Sequence, residues 1–80
     1  MNTLTHVDRE TSVLEASKLM RKSNLTELLV VDKSHGLPFV FGILTANDIV
    51  RRVIATELDP AVLTAGDIAW SKDLGLSQGV

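Results

Sequence analysis

Two neighbouring segments of the sequence are apolar at every position: residues 28–31 (Leu-Leu-Val-Val) and residues 39–44 (Phe-Val-Phe-Gly-Ile-Leu). Successive side chains of a strand point to opposite faces of its sheet, so strands of this kind present apolar groups on both faces. The sequence also contains two amphipathic helical patterns, and two helices can cover only one face of such a sheet. The second face is therefore predicted to meet another subunit, or a segment outside these 80 residues.

The residues before these two segments predict a strand followed by a helix. Residues 3–7 are β-prone, and Ser12 with Glu15 three residues later matches a capping box, in which side chains satisfy amides at the helix start. We expect this helix to run to about Lys22 or Ser23. Its apolar stripe consists of Val13, Ala16, Leu19 and Met20.

The two apolar segments are expected to form a hairpin, because a polar turn with Gly36 and Pro38 separates them. Thr45 then caps a second helix, which carries Asp48 at its third position and ends near Glu57. Its apolar stripe consists of Ala46, Ile49, Val50, Val53 and Ile54. Residues 61–80 are weakly patterned. The order β-α-β-β-α predicts an α+β domain, a small sheet with two helices on one face.

A chain of 80 residues forms one small domain, and a domain of this size buries only about 60% of the surface that its unfolded chain exposes. The sequence contains no cysteine, which excludes disulfides, thiolate zinc sites and cysteine nucleophiles. Oligomerisation is the remaining common way to stabilise so short a chain, and we therefore expect a homodimer.

Composition excludes several classes of function. The net charge of −2 offers no general attraction to nucleic acid or to an anionic membrane. No apolar run approaches the roughly 18 residues of a membrane span, and the first residues lack the features of a signal peptide, so a cytoplasmic protein is expected. His6 and His35 do not indicate a metal site. Because no nucleophile, base and acid form a recognisable catalytic set, the sequence does not predict an enzyme.

Residues 42–48 carry the densest functional signal. Gly42 lets another group approach its strand closely, and Thr45 with Asp48 places a hydroxyl and a carboxylate at the turn from strand to helix. Such a pair suits a ribose diol, with a phosphate further along near the helix start. Two other interpretations stay open: Thr45 and Asp48 only cap the helix, and Gly42 only relieves packing.

At this point the sequence resembles the CBS domain, the regulatory module of the cystathionine-β-synthase type. The family pattern includes Ser/Thr-Val-x-Glu-Ala-x-x-x-Met, then Val-Val-Asp, then Gly-Ile-x-Thr-x-x-Asp-Ile. This chain matches the three pieces, in order, with residues 12–20, 30–32 and 42–49. The resemblance covers about residues 3–70, so we interpret residues 1–70 as a single CBS repeat and residues 71–80 as a C-terminal tail.

The resemblance implies a ligand and a way to bind it. CBS domains usually pair as a Bateman module, with adenosyl compounds such as AMP, ADP, ATP or S-adenosylmethionine in the clefts. Thr45 and Asp48 then hold the ribose, beside Gly42. The looser assignments are Leu25, Thr26 and Leu28 around the adenine, and Glu10 and Thr11 in the linker before the first helix.

The expected function is thus a regulatory module that dimerises and binds an adenosine-containing ligand in its cleft. A structural dimerisation domain that binds no ligand is one alternative. A severed regulatory piece of a larger enzyme or transporter is the other, since the sequence contains one repeat and a full Bateman module needs two.

Overall fold

The computed structural model describes residues 5–34 and 36–69, which form a three-stranded sheet and the helices that cover it. Strand β2 (Glu27–Asp32) is central, with β1 (His6–Asp8) parallel to it on one side and β3 (Phe39–Thr45) antiparallel on the other. The predicted α+β class, the order β-α-β-β-α and the hairpin are confirmed. Residues 3 and 4 of the predicted first strand, and the predicted tail, lie outside the described residues.

Helix α1 (Val13–Ser23) begins where the sequence predicts. The Ser12 Oγ accepts the Glu15 backbone N–H at 3.1 Å, but the Glu15 carboxylate lies 3.8 Å from the Lys18 Nζ, so half of the predicted capping box forms. The helix ends at Asn24, whose positive φ of 57° is the left-handed conformation that asparagine tolerates at such a position.

Helix α2 (Ala46–Ile49) continues without a break into a π-helical segment (Val50–Ile54). The Ala55 N–H donates to the Val50 carbonyl at 2.8 Å, which is the five-residue spacing of a π-helix. Glu57, with a φ of 63°, closes the turn near the predicted helix end.

The predicted apolar stripe of this second helix is only partly correct. Ile49 and Val53 are buried, whereas Val50 and Ile54 are 56% and 53% exposed. Each exposed residue follows a buried one, about 100° further around the helix. The three-stranded sheet covers only the side of the helix that carries Ile49 and Val53. Val50 and Ile54 therefore remain in contact with solvent.

The core lies between the helices and one face of the sheet. From the sheet, Leu28 and Leu44 form one cross-strand pair and Val7 with Val30 forms the next row, all of them buried. Helix α1 and the second helix contribute further members of this cluster: Val13, Ala16, Met20, Ile49 and Val53. The prediction that the helices bury one face of the sheet is thus confirmed for the described residues.

The other face of the sheet, which we call the open face, carries Leu29, Val31, Val40 and Ile43 in two cross-strand pairs. A bulge at Phe41 keeps Val40 in phase with this face, because two residues of β3 there oppose one residue of β2. Leu29 and Ile43 are half-buried, Val40 is exposed, and Val31 is buried. Among the described residues, no helix packs over this face.

Residues 60–69, which we call the C-terminal strap, are part of the fold although the sequence pattern there is weak. The strap contains helix α3 (Ala65–Ile68), which a full capping box starts: the Thr64 Oγ1 accepts the Asp67 N–H, and the Asp67 carboxylate accepts the Thr64 N–H. Ala65 and Ile68 belong to the core cluster. The sequence analysis missed this short helix.

The strap also completes the start of α1. The first amides of a helix lack partners within the helix itself. Here the Val13 N–H donates to the Leu63 carbonyl and the Leu14 N–H to the Pro60 carbonyl, both at 2.9 Å. The strap therefore supports the core in two ways, through buried side chains and through the backbone of α1.

We predict that Ile68→Ala lowers the free energy of unfolding by about 2–5 kcal/mol, because it removes buried apolar volume. For a domain of this size the melting temperature should fall by roughly 10 °C or more. Val62→Ala, at an exposed position of the same strap, is the control and should melt like the wild type. Equal melting temperatures for both variants would contradict a structural role for α3.

Candidate functional site

Thr45 and Asp48 meet where β3 ends and α2 begins. The Thr45 Oγ1 donates to the Asp48 Oδ2 at 2.9 Å and accepts the Asp48 backbone N–H at 3.0 Å. Asp48 is only 8% exposed. A hydrogen bond to a charged oxygen is stronger than one between neutral groups, so the two side chains hold each other in a fixed orientation.

Thr26 lies against this pair through the backbone. Its carbonyl accepts the Ala46 N–H at 2.9 Å, which connects the residue before β2 to the first residue of α2. Leu25, beside it, is half-buried and packs against the core. The structure therefore brings together three of the predicted site residues, which are Thr26, Thr45 and Asp48, while the Leu25 side chain belongs to the core.

A small apolar pocket of about 100 Å³ opens next to Thr45. Glu27, one of its lining residues, stands directly opposite Thr45 in the hairpin register. The pocket is lined by Thr5, Glu27, Leu28, Leu29 and Ile43. Pockets for drug-sized ligands measure about 300–1,000 Å³, so the part of the chain that the structure describes supplies a fraction of such a site.

Two predicted site residues belong to the helix-covered side of the sheet. Leu28 is 1% exposed and pairs with Leu44 in the core, and Gly42 is buried opposite Val30. This placement favours the packing interpretation of Gly42. The open-face residues at the pocket are Leu29 and Ile43, which the sequence analysis did not single out. Strand alternation puts Leu28 and Leu29 on opposite faces, but it does not indicate which of the two faces the helices.

Glu10 and Thr11 lie at the opposite end of the sheet from Thr45. They follow the end of β1 that pairs with Val31, whereas Thr45 pairs with Glu27. The length of β2, about 17 Å, separates the two ends. The Thr11 carbonyl accepts an amide of the strap, and Glu10 is exposed. The structure therefore does not bring these two residues together with the other site residues.

Glu10 instead borders a polar depression of about 190 Å³, which is lined by Asp8, Arg9, Glu10, Asp32, Lys33 and Ser34. The Asp32 carboxylate accepts the Ser34 N–H at 2.8 Å and its hydroxyl at 2.6 Å, and it pairs with the Arg9 guanidinium at 2.9 Å. These bonds, those of Ser34 first, lower the pKa of Asp32 from 3.8 to about 2. The Arg9 guanidinium also lies 4.3 Å above the Phe41 ring.

We predict that Asp32 makes the domain sensitive to acid. Because the folded-state pKa lies below the unfolded one, the stabilisation is complete above about pH 4 and is lost as the pH falls towards 2. Chemical denaturation between pH 5 and pH 2 should show a steeper loss of stability for the wild type than for Asp32→Asn. The control is Glu10→Gln, at the same depression, which should follow the wild type. Identical slopes for the wild type and Asp32→Asn would refute the assignment.

Comparison with known proteins identifies the family. The CBS domain family model matches residues 2–55. The chain belongs to the CBS domain family. CBS domain proteins are generally regulatory rather than catalytic. The predicted family and fold are therefore confirmed.

The chain is similar in sequence or in structure to parts of longer proteins. The chain is 41% identical over 54 residues to the meiotically up-regulated gene 70 protein of Schizosaccharomyces pombe, covering 68% of this chain and 7% of that protein. An uncharacterized conserved protein from Pyrococcus horikoshii is 33% identical, with a TM-score of 0.75 and coverage of 86% and 49%. A putative signal-transduction protein with CBS domains from Burkholderia ambifaria is 30% identical, with a TM-score of 0.76 and coverage of 88% and 48%. The CBS chain thus spans about half of each of these two structures.

Two features are absent from residues 5–34 and 36–69 of this CBS domain. No helix there is long and apolar enough to cross a membrane. Within the same residues, no three histidine, aspartate or glutamate side chains are grouped so that they could hold a metal ion.

Proposed function

We propose that this CBS domain is a regulatory module that pairs with a second copy through its open face and binds an adenosine-containing ligand between the copies. The observation that carries the proposal is the fixed Thr45–Asp48 pair beside an apolar pocket on that face. The pair suits the ribose and the pocket suits the base of AMP, ADP, ATP or S-adenosylmethionine.

The polar part of the ligand is assigned to Asp48 and Thr45. An ionised carboxylate only accepts hydrogen bonds, and the two hydroxyls of a ribose are donors that match it. Because Asp48 is nearly buried and its orientation is fixed by Thr45, little conformational entropy is lost when a sugar binds. The Thr26 backbone adjoins the same position.

The apolar part of the ligand is assigned to Leu29 and Ile43. Their half-buried side chains offer one wall of a flat, apolar slot, and the volume of about 100 Å³ leaves the other wall to a second copy. A two-fold pair built on the open face supplies that wall with the same residues. Pairing also covers the exposed Val40, so one contact serves both stability and binding.

The charge of this end of the domain bears on the rest of the ligand. Glu27 lines the pocket and stands opposite Thr45, whose hydroxyl donates to the Asp48 carboxylate, so two carboxylates belong to this end of the sheet. Phosphate oxygens would be repelled there. We therefore assign the nucleoside, and not the phosphates, to the space beside these two carboxylates.

The similar structure from Burkholderia ambifaria supports pairing. Its description names CBS domains in the plural, and the present chain covers 48% of it. A chain twice as long has room for a second copy of this fold in the same polypeptide. In the present protein we assign the second copy to a separate chain, as a homodimer in the cytoplasm.

A second candidate function is structural association without a ligand. The observation that favours it is that the Thr45 hydroxyl and the Asp48 carboxylate already satisfy each other as the cap of α2. A regulatory piece of a larger enzyme or transporter is a further candidate. The coverage of 7% of the similar Schizosaccharomyces pombe protein favours a longer context of this kind.

We predict that one of AMP, ADP, ATP or S-adenosylmethionine raises the melting temperature. A ligand at a hundred times its dissociation constant adds about 2.7 kcal/mol, which corresponds to roughly 10 °C or more for a domain of this size. Asp48→Asn should abolish the shift, because the amide no longer offers a charged acceptor to the ribose.

The control for this experiment is Asp59→Asn, which removes the same charge at an exposed turn outside the site. It should keep the full shift. If none of the four compounds alters the melting temperature of the wild type, the structural candidate replaces the ligand-binding one. If Asp48→Asn keeps the full shift, the ligand binds elsewhere.

A further inference from the structure

We propose that Arg52 is a latch that couples the Thr45–Asp48 end of α2 to the C-terminal strap. The Arg52 Nη1 donates to the Ile68 carbonyl at 2.9 Å, and Ile68 is the last residue of α3. The coupling itself needs no ligand. The idea that this coupling transmits a signal rests on the proposed function, because it requires a ligand that binds at Asp48 and so changes how firmly Arg52 holds the strap.

The latch contact is favourable because a cation meets the carbonyl end of a helix. Carbonyls in the last turn of a helix lack partners within it and carry partial negative charge. A hydrogen bond from a guanidinium to such a carbonyl is stronger than a neutral one. Arg52 is an exposed residue of the helix, and this bond directs its side chain towards the strap.

The candidate site and the latch lie on one continuous helical rod. Asp48 is in the first turn of α2, and Arg52 follows four residues later in the π-helical segment. The cap formed by Thr45 fixes where the rod begins and how it is rotated. A change at the cap therefore changes the direction in which Arg52 points.

The π-helical segment is the place where this rod departs from the α-helical hydrogen-bond register. The Ala55 N–H now donates to the Val50 carbonyl, five residues back. In an α-helical register the same N–H would donate to the Arg51 carbonyl instead. Exchange between the two partners rotates the residues of the segment, and Arg52 is among them. π-Helical turns inside α-helices are frequent at functional sites for this reason.

The strap is also held at the first turn of α3, by the loop that precedes α1. The Ala65 N–H donates to the Thr11 carbonyl at 2.7 Å, and the Gly66 N–H to the Arg9 carbonyl at 2.9 Å. A Cβ atom at Gly66 would lie 3.0 Å from the same Arg9 oxygen, so the contact is tight. The Arg52 bond thus adds a side-chain contact at the end of α3 to the backbone bonds that hold its first turn.

Hydrogen exchange measured residue by residue tests the latch. We expect Arg52→Gln to speed exchange of the Ala65, Gly66 and Ala69 amides by roughly 10- to 100-fold, the range for losing a hydrogen bond to a charged group. The matched control is Arg51→Gln, the same change one residue earlier, which should leave these rates within about two-fold. Equal rates in the two variants would overturn the proposal.

A double-mutant cycle tests the coupling. Thr45→Ala should speed exchange of the strap amides in the wild-type background and should have no further effect in the Arg52→Gln background. A purely structural Thr45 would multiply the rate by the same factor in both backgrounds, and that result would overturn the coupling. Thr45→Gly, which removes the same hydroxyl at a smaller cost to the helix start, serves in the same cycle if Thr45→Ala does not fold.

The two proposals fail in different experiments. Hydrogen exchange is measured without ligand. If Thr45→Ala has the same effect in both backgrounds, the latch proposal is wrong, and the prediction for melting with ligand is not affected. If none of the four compounds changes the melting temperature, the ligand-binding proposal is wrong, and the prediction for the double-mutant cycle is not affected.

Discussion

Strands β2 and β3 carry apolar side chains on both faces of the sheet, and the rest of this structure depends on that constraint. Leu28 and Leu44 face the helices and form the core, while Leu29 and Ile43 in the next row face the opposite way. A small domain cannot bury both faces with its own helices. The open face is therefore both the weakness of the single chain and, in our proposal, the surface on which the ligand site is assembled.

The local features of the fold could be predicted from the sequence because each depends on neighbouring residues. The caps at Ser12 and Thr45, the hairpin and the order of elements are of this kind. Helix α3 is different, because its four residues carry little periodicity and the burial of Ile68 depends on contacts with distant parts of the chain. The exposure of Val50 likewise depends on the width of the sheet, which no local pattern encodes.

The candidate site could be predicted in part, for a related reason. Thr45 and Asp48 are three residues apart, so their contact follows from a helix start. Strand alternation separates Leu28 from Leu29 but does not say which of them faces the helices. The placement of Glu10 depended on the direction of β1 relative to the hairpin, and the parallel pairing puts it at the far end of the sheet.

The most direct test of this account is sedimentation velocity at micromolar concentration on the wild type, Ile43→Asp and Val50→Asp. Ile43 lies on the open face, and Val50 is an exposed apolar residue on the helix side. The account predicts that the wild type and Val50→Asp sediment as dimers, and that Ile43→Asp is a monomer that still unfolds cooperatively. A wild type that is monomeric and unfolds cooperatively, or an Ile43→Asp variant that remains dimeric, would contradict it.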